Sequence, residues 1–285
     1  MKLTTLKRAA LGLAALLALG TAARAEEQPY AFNVLNQRSV ALTSQYWNPI
    51  LIYVAKKSGV PLELRLARTT KEANALAEQG QYHFLYTNHF FTPERDRLGF
   101  HVIARPAGPG IRGQIAVPAD SPIKSLAELN GKEVAFASPD AFAAYWLPMD
   151  ALLKAKVNVK PVFTANQEAG LAQLKVGTVA AAGVNDSIIQ RYARREGFEY
   201  RLLWNSEIYN DLCIMASSKV PPAKLAAVRD ALIGMMNDPE GRKVLQAGAD
   251  LLKMNKDHLG FIASSDRDYD NYRAFYKKTL VKAVN

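Results

Sequence analysis

GKEVAFASPDAFAAYWLPMDALLKA, residues 131–155, holds a strand, a turn and a helix start in one line. Residues 134–137 form a short apolar run of buried-strand character, Ser138, Pro139 and Asp140 read as a turn, and an apolar helix-like run begins at Phe142. A strand that breaks into a turn and hands over to a helix leaves the first backbone N–H groups of that helix without intrahelical partners. Those groups carry partial positive charge toward a crevice, which is a seat for a polar or anionic ligand.

The same alternation extends outward in both directions. Upstream, residues 30–35 read as a strand, and Asn48-Pro49 reads as a helix cap with proline at the first helical position. That helix stops at Gly59. Leu62, Leu64 and Leu66 alternate with Glu63 and Arg65 as a half-buried strand. Thr69 to Glu72 fits a capping box for a helix ending near Gly80, and residues 82–86 form a strand that breaks at Thr87, Asn88 and His89. Residues 106–110, rich in Pro and Gly, mark a crossing or turn, and Ser125 to Glu128 fits a second capping box. Downstream, strands at 159–163, 180–184, 200–204 and 212–216 are interleaved with helices at 167–175 and 187–196. The chain then turns helical, with Leu225, Val228, Leu232 and Met235 on one face, and Tyr269, Tyr272 and Tyr276 repeat at helix spacing. Such alternation predicts an α/β protein with largely parallel sheets, whose ligand lies outside the carboxyl ends of the strands. The segments to inspect are therefore 36–39, 86–89, 138–142, 165–168, 185–187 and 206–210.

The first residues read as a secretory signal peptide: Lys2, Lys7 and Arg8, an apolar run over 9–20, and Ala23-Arg24-Ala25, with cleavage expected after Ala25. The apolar run is shorter than a membrane span needs. No Cys lies near the cleavage point, so the mature protein is expected to be soluble and periplasmic. Removing Lys2, Lys7, Arg8 and Arg24 takes the formal charge from +10 to +6, which suits small anions more than nucleic acid. No Lys/Arg run with interleaved aromatics appears, so no nucleic-acid partner is expected. Cys213, the only cysteine, precludes an intramolecular disulfide; in its apolar run a buried thiol is the simpler reading, a ligand thiolate the sharper one.

The run Ser121-Pro122-Ile123-Lys124-Ser125-Leu126-Ala127-Glu128-Leu129-Asn130-Gly131-Lys132, leading into Val134-Ala135-Phe136, resembles the second-lobe entry of type II periplasmic solute-binding proteins. It is most similar to their phosphate, phosphite and phosphonate ABC-transporter branch. Gln167 to Leu171, Gly177 to Ser187, Asn210-Asp211 and Asp238 to Arg242 continue the resemblance in order and spacing over nearly the whole mature chain. It implies an α/β two-lobed periplasmic-binding-protein type II fold with the ligand in the cleft between lobes. Residues 1–25 are then the signal peptide, 26–108 the first part of lobe 1, 109–208 lobe 2, and 209–285 the return to lobe 1 with C-terminal helices. The crossings fall near 105–113 and 205–212. The implied partners are a small-molecule ligand and an inner-membrane ABC permease, and a monomer is expected.

The departures from the family pattern fall at the site. Where the branch presents a Ser-Thr-Ser-Gly-type cradle, this chain has Ala141-Phe142-Ala143-Ala144; a frequent histidine is Gln167; and a Gly-Pro pair at the first-lobe strand end is Thr87-Asn88, followed by His89. The combination points to a retained fold with a changed ligand.

The candidate ligand-binding residues are Tyr46, Tyr86, Asn88, His89, Ser138, Asp140, Phe142, Ala143, Gln167, Glu168, Asn185 and Asp186. Several carry a second reading. Ser138 and Asp140 also fit helix capping, and Glu168 and Asp186 suit helix starts as well as an ammonium or hydroxyl. His89 also fits a structural histidine, and Tyr46 with Trp47 also fits lobe packing. Backbone N–H groups at Phe142 and Ala143 remain donors whatever the side chains. Histidines 83, 89, 101 and 258 lack paired metal spacing, so neither metal nor cofactor is expected.

Capture of a small phosphonate-, phosphite- or phosphate-like anion for an ABC importer is the first reading. A ligand-sensing subunit that presents a non-phosphonate ligand to a membrane receptor kinase is the alternative. An enzyme is not expected, because Ser138 has no nucleophile-elbow glycines and no nucleophile–base pair is recognisable.

Overall fold

Apolar side chains on both faces make β1 (Tyr30–Val34) a central strand, with Ala31 and Phe32 fully buried. Residues 28–35 and 38–282 are described by a computed structural model. The expected signal peptide lies outside them.

Helix α1 (Val40–Ser58) begins earlier than the Asn48-Pro49 signal suggested: Ser39 is the cap, its hydroxyl accepting from the Leu42 N–H at 3.3 Å, and Pro49 lies inside the helix. Asn48 and Pro49 are exposed, as is Gln45, whose carbonyl loses its helical partner to the proline ring and is left for water. Trp47, Ile50, Leu51, Tyr53 and Val54 on the opposite face are buried and hold the helix through the proline. The helix ends at Gly59, whose φ of +68° favours glycine.

The chain continues through β2 (Leu62–Leu64), α2 (Thr70–Glu78), β3 (Phe84–Thr87), α3 (Pro93–Asp96) and β4 (Phe100–Pro106). The Thr69 hydroxyl caps α2 by accepting from the Glu72 N–H at 3.1 Å. After β5 (Gly113–Pro118), the Ser125–Glu128 contact closes only a three-residue turn, Ala127–Leu129. Strand β6 (Glu133–Phe136) follows, then a wide helical turn, Phe142–Trp146, that runs straight into α4 (Leu147–Lys154). Next come β7 (Lys160–Phe163), α5 (Gln167–Lys175), β8 (Ala181–Asn185), α6 (Asp186–Glu196) and β9 (Tyr200–Asn205). The last part comprises β10 (Cys213–Ser217), α7 (Pro222–Gly234), α8 (Pro239–Leu252), β11 (Phe261–Ala263) and α9 (Asp270–Lys278).

Two sheets form, in the orders β11-β4-β10-β3-β1-β2 and β7-β6-β8-β5-β9. They are mixed and not largely parallel. β1 is parallel to β2 and β3, and β6 to β7 and β8, but β10 runs antiparallel to β3 and β4, and β5 to β8 and β9. The reversed strands are those that carry the chain between sheets. They replace the helical crossover that parallel neighbours require.

The chain crosses from the first sheet to the second through residues 107–112 and back through 206–212. The two crossings pair with each other: the Ile111 N–H donates to the Tyr209 carbonyl at 2.7 Å and the Tyr209 N–H to the Ile111 carbonyl at 2.9 Å. Gly110, at φ +91°, allows this approach, since a Cβ there would collide with the Tyr209 carbonyl oxygen.

Residues 209–285 were expected to belong to lobe 1, but their end makes a third link. Beyond α9, the Thr279 hydroxyl and the Leu280 N–H donate to Asp150 at 2.9 and 2.8 Å, and Val281 joins the core of the second lobe. Asp150 is buried and already paired with Lys154, so its carboxylate is shared between its own helix and this strap.

In lobe 1, one face of the sheet packs on α1, α7 and α8, with Val228, Leu232 and Met235 in that core. The other face carries Phe90, Phe91, Tyr269 and Tyr272, so the tyrosines do dock the last helix. Cys213 is buried and its thiol donates to the Thr87 carbonyl at 3.2 Å; burial pushes its pKa up, which makes it an inert core group. Among the described residues, no helix is long and apolar enough to cross a membrane.

Candidate functional site

Strand ends from both lobes meet at the crossings. On the lobe 1 side, Arg38 precedes the α1 cap, Tyr46 lies on α1, Tyr86 is the penultimate residue of β3, and Asp211 comes two residues before β10. On the lobe 2 side, Asp186 opens α6 and Arg191 lies on the same helix.

Mutual electrostatic influence places these groups near one another. Burial holds the Tyr86 phenol well above its usual pKa, with Asp211 and Tyr46 adding to the shift and Arg38 opposing it. Burial also raises Tyr46, again opposed by Arg38. The Asp211 carboxyl is raised by burial and by Asp186, against the Leu212 N–H hydrogen bond and the charges of Arg191 and Arg38. Arg191 is solvent-accessible, yet surrounding protein lowers its pKa and the nearby Arg38 guanidinium lowers it further.

Two guanidiniums from opposite lobes thus converge with two phenols. The side chains of Arg38, Arg191, Tyr46 and Tyr86 make no hydrogen bond or ion pair among the described residues, so all four present unused donors. The two carboxylates accept backbone N–H groups instead. Asp186 accepts from Arg112 at 3.2 Å and Ser187 at 2.8 Å, and Asp211 from Leu212 at 2.7 Å.

Other expected site residues are spent on structure. The Gln167 carbonyl oxygen accepts from the Asn185 N–H at 2.7 Å, and the Asn185 side chain caps α6 through the Ser187 N–H at 2.8 Å. Glu168 forms a two-pronged pair with Arg195, at 3.1 and 2.9 Å, on the exposed side of the helices.

Phe142 points into protein. It is fully buried, stacked on Tyr272 at 4.0 Å between ring centroids and flanked by Tyr209 at 4.9 Å, Phe275 at 5.3 Å and Tyr276 at 5.6 Å. Asn88 joins this wall by donating to the Tyr272 hydroxyl at 3.3 Å, and that hydroxyl donates to the Asn210 carbonyl at 2.5 Å. Ala143 is buried, its carbonyl so close to Gly113 that a Cβ there would lie 2.6 Å away.

His89 and Asp140 form a second group with Arg95. Asp140 does not cap the following helix, whose cap position is Ala141 without a side-chain bond; it faces Arg95 at 3.6 Å. Ser138 makes only the turn, its carbonyl accepting from the Ala141 N–H at 3.2 Å. His89 is buried, which lowers its pKa to about 4, Arg95 adding to the effect and Asp140 opposing it. No group is shared with the Arg38–Arg191 set.

Arg38, Arg191, Asp211 and Arg95 were absent from the candidate residues inferred from sequence, although Arg38 lies in the inspected segment 36–39. Arg191 follows Ser187 by one helical repeat and so shares its face, a signal readable without a structure. Arg95 meets Asp140 only through the fold. Among the described residues, no three His, Cys, Asp or Glu side chains converge as a metal site.

A family model described as the periplasmic substrate-binding protein of ABC phosphonate transporters matches residues 32–269, and the chain belongs to that family. No curated protein matches. Solved structures share the fold. A binding-protein component of an ABC phosphonate transporter from Pseudomonas aeruginosa is 17% identical, with 87% of this chain and 86% of that one covered and a TM-score of 0.70. PhnD1 from Prochlorococcus marinus, in complex with methylphosphonate, is 14% identical over 87% and 97% of the chains, with a TM-score of 0.68. A Xanthomonas citri protein, solved bound to chloride, is 17% identical over 88% and 98%, with a TM-score of 0.70.

Proposed function

We propose that this periplasmic substrate-binding protein captures a small oxyanion, of phosphonate, phosphite or phosphate type, between its lobes and delivers it to an ABC importer, after export with cleavage at Ala25. The observation that carries the reading is the set of unused donors: Arg38, Tyr46 and Tyr86 from lobe 1 opposite Arg191 from lobe 2. Guanidiniums match the paired oxygens of an oxyanion, and phenols supply single charge-assisted hydrogen bonds. These groups stand in for the hydroxyl cradle replaced by Ala141 to Ala144.

An anion between the lobes relieves the repulsion of Arg38 and Arg191 and rewards closure about the paired crossings. Asp186 and Asp211, facing one another across the same cleft, extend the reading to an oxyanion that also carries an amine, as an aminoalkyl phosphonate does.

Calorimetric titration of the mature protein with methylphosphonate, phosphite, inorganic phosphate and 2-aminoethylphosphonate tests it. Saturable binding of at least one is expected; binding of none rejects the reading. Co-purification with a permease supports delivery, whereas recovery with a histidine kinase instead supports the sensing alternative.

A further inference from the structure

Apart from the Arg38–Arg191 set, a pocket of about 550 Å³ is lined by both lobes and the C-terminal strap. We propose that this pocket is a separate ligand site that takes an organic cation with an apolar or aromatic body.

The charge balance favours a cation. Asp140, Glu94 and Glu78 line the pocket against a single guanidinium, Arg95. Arg95 is already engaged, with Glu78 at 2.8 Å and Asp140 at 3.6 Å. The Asp140 separation exceeds a hydrogen bond, so its carboxylate remains open to a closer donor. A second anion would meet uncompensated carboxylates.

The walls favour an aromatic or apolar body. Trp146 and Tyr276 stand edge to face at 5.1 Å, and both line the pocket. Aromatic faces attract ammonium groups, most strongly where water is excluded. Neither the indole N–H nor the Tyr276 hydroxyl has a protein partner among the described residues. His89 also lines the pocket as a neutral, 5% exposed imidazole, so it adds no positive charge there that would oppose a cation. Asp140 and Trp146 come from lobe 2, His89 and Glu94 from lobe 1, so an occupant spans both lobes without touching Arg191.

Benzylammonium is a suitable probe, since it joins a primary ammonium to one aromatic ring. Calorimetric titration into the mature chain is expected to show saturable binding, weakened roughly tenfold or more by Asp140→Asn, the loss of one charge-assisted hydrogen bond. Glu94→Gln, on an exposed position of α3, provides a second variant free of folding risk and is expected to weaken binding in the same direction. Arg191→Gln is expected to leave benzylammonium binding unchanged while it impairs oxyanion binding, so the two sites can fail separately. Absence of saturable binding, insensitivity to both Asp140→Asn and Glu94→Gln, or competition by methylphosphonate overturns the proposal.

Discussion

Phe142 of lobe 2 lies stacked on Tyr272 of the C-terminal helix, ring centroids 4.0 Å apart and planes 28° from parallel. The contact joins the turn after β6 to a helix that belongs to the other lobe. Phe142, a candidate ligand residue on the sequence, is here a buried structural ring.

Phe142→Ala should therefore act on stability first. A fully buried aromatic replaced by alanine costs about 3–5 kcal/mol, and the cavity opens among Tyr209, Tyr272, Phe275 and Tyr276. Thermal unfolding is expected to shift downward by several degrees. An unchanged transition would mean that the wall contributes nothing to holding the lobes.

Replacing Tyr86 by Phe removes one donor from the cleft and leaves its ring against Trp47, 4.7 Å between centroids, in place. Oxyanion affinity is expected to fall about three- to tenfold, the worth of one hydrogen bond, with thermal stability nearly unchanged. Calorimetry and a melting curve on the same sample separate the two effects.

His89 gives the protein an acid-sensitive element. Its folded pKa of about 4 lies below the ordinary value of 6.5, so between those values the unfolded chain binds more protons than the folded one. Stability from this group is complete above about pH 6.5 and is lost as pH falls toward 4, by about 3 kcal/mol in total. Asp211, whose raised pKa favours the folded state while it is protonated, tilts the curve the opposite way and is lost as pH rises through its folded value. His89→Gln leaves Asp211 in place, so the difference between its pH–stability profile and the wild type's isolates the histidine. Equal slopes for the two proteins between pH 4 and 6.5 would contradict the assignment.

Much of the architecture was readable in the chain. Strand ends were located because short apolar runs broke at polar triplets such as Thr87-Asn88-His89, and Gly59 and Thr69 carry cap chemistry that depends only on their neighbours. Pro49 misled for a physical reason. Proline is a strong start signal, but here tertiary burial of Trp47, Ile50 and Leu51 outweighs its missing hydrogen bond. At the site, residue types were informative and pairings were not. Glu168 finds Arg195, 27 residues away, and Asp140 finds Arg95 from the other lobe, partners that local pattern does not encode. The mixed sheets were missed because alternation of strand and helix does not reveal that a strand leads directly into the other lobe.

The strap gives a further test. Asp150→Ala removes the acceptor of Thr279 and Leu280 and frees Lys154, at a cost of about 2–4 kcal/mol for a buried, multiply bonded carboxylate. Limited proteolysis is expected to cut near residue 279 faster in the variant than in the wild type. Equal cutting rates would show that the tail is held by Val281 packing alone.

The most direct measurement on the cleft is a double-mutant cycle of methylphosphonate affinity over Arg38→Gln and Arg191→Gln, read by calorimetry on the mature protein. Opposed guanidiniums that grip one oxyanion are expected to weaken binding roughly tenfold or more when either is removed, with non-additive losses in the double variant. Affinity that is unchanged in both single variants, or no saturable binding in the wild type, would contradict an oxyanion site between Arg38 and Arg191.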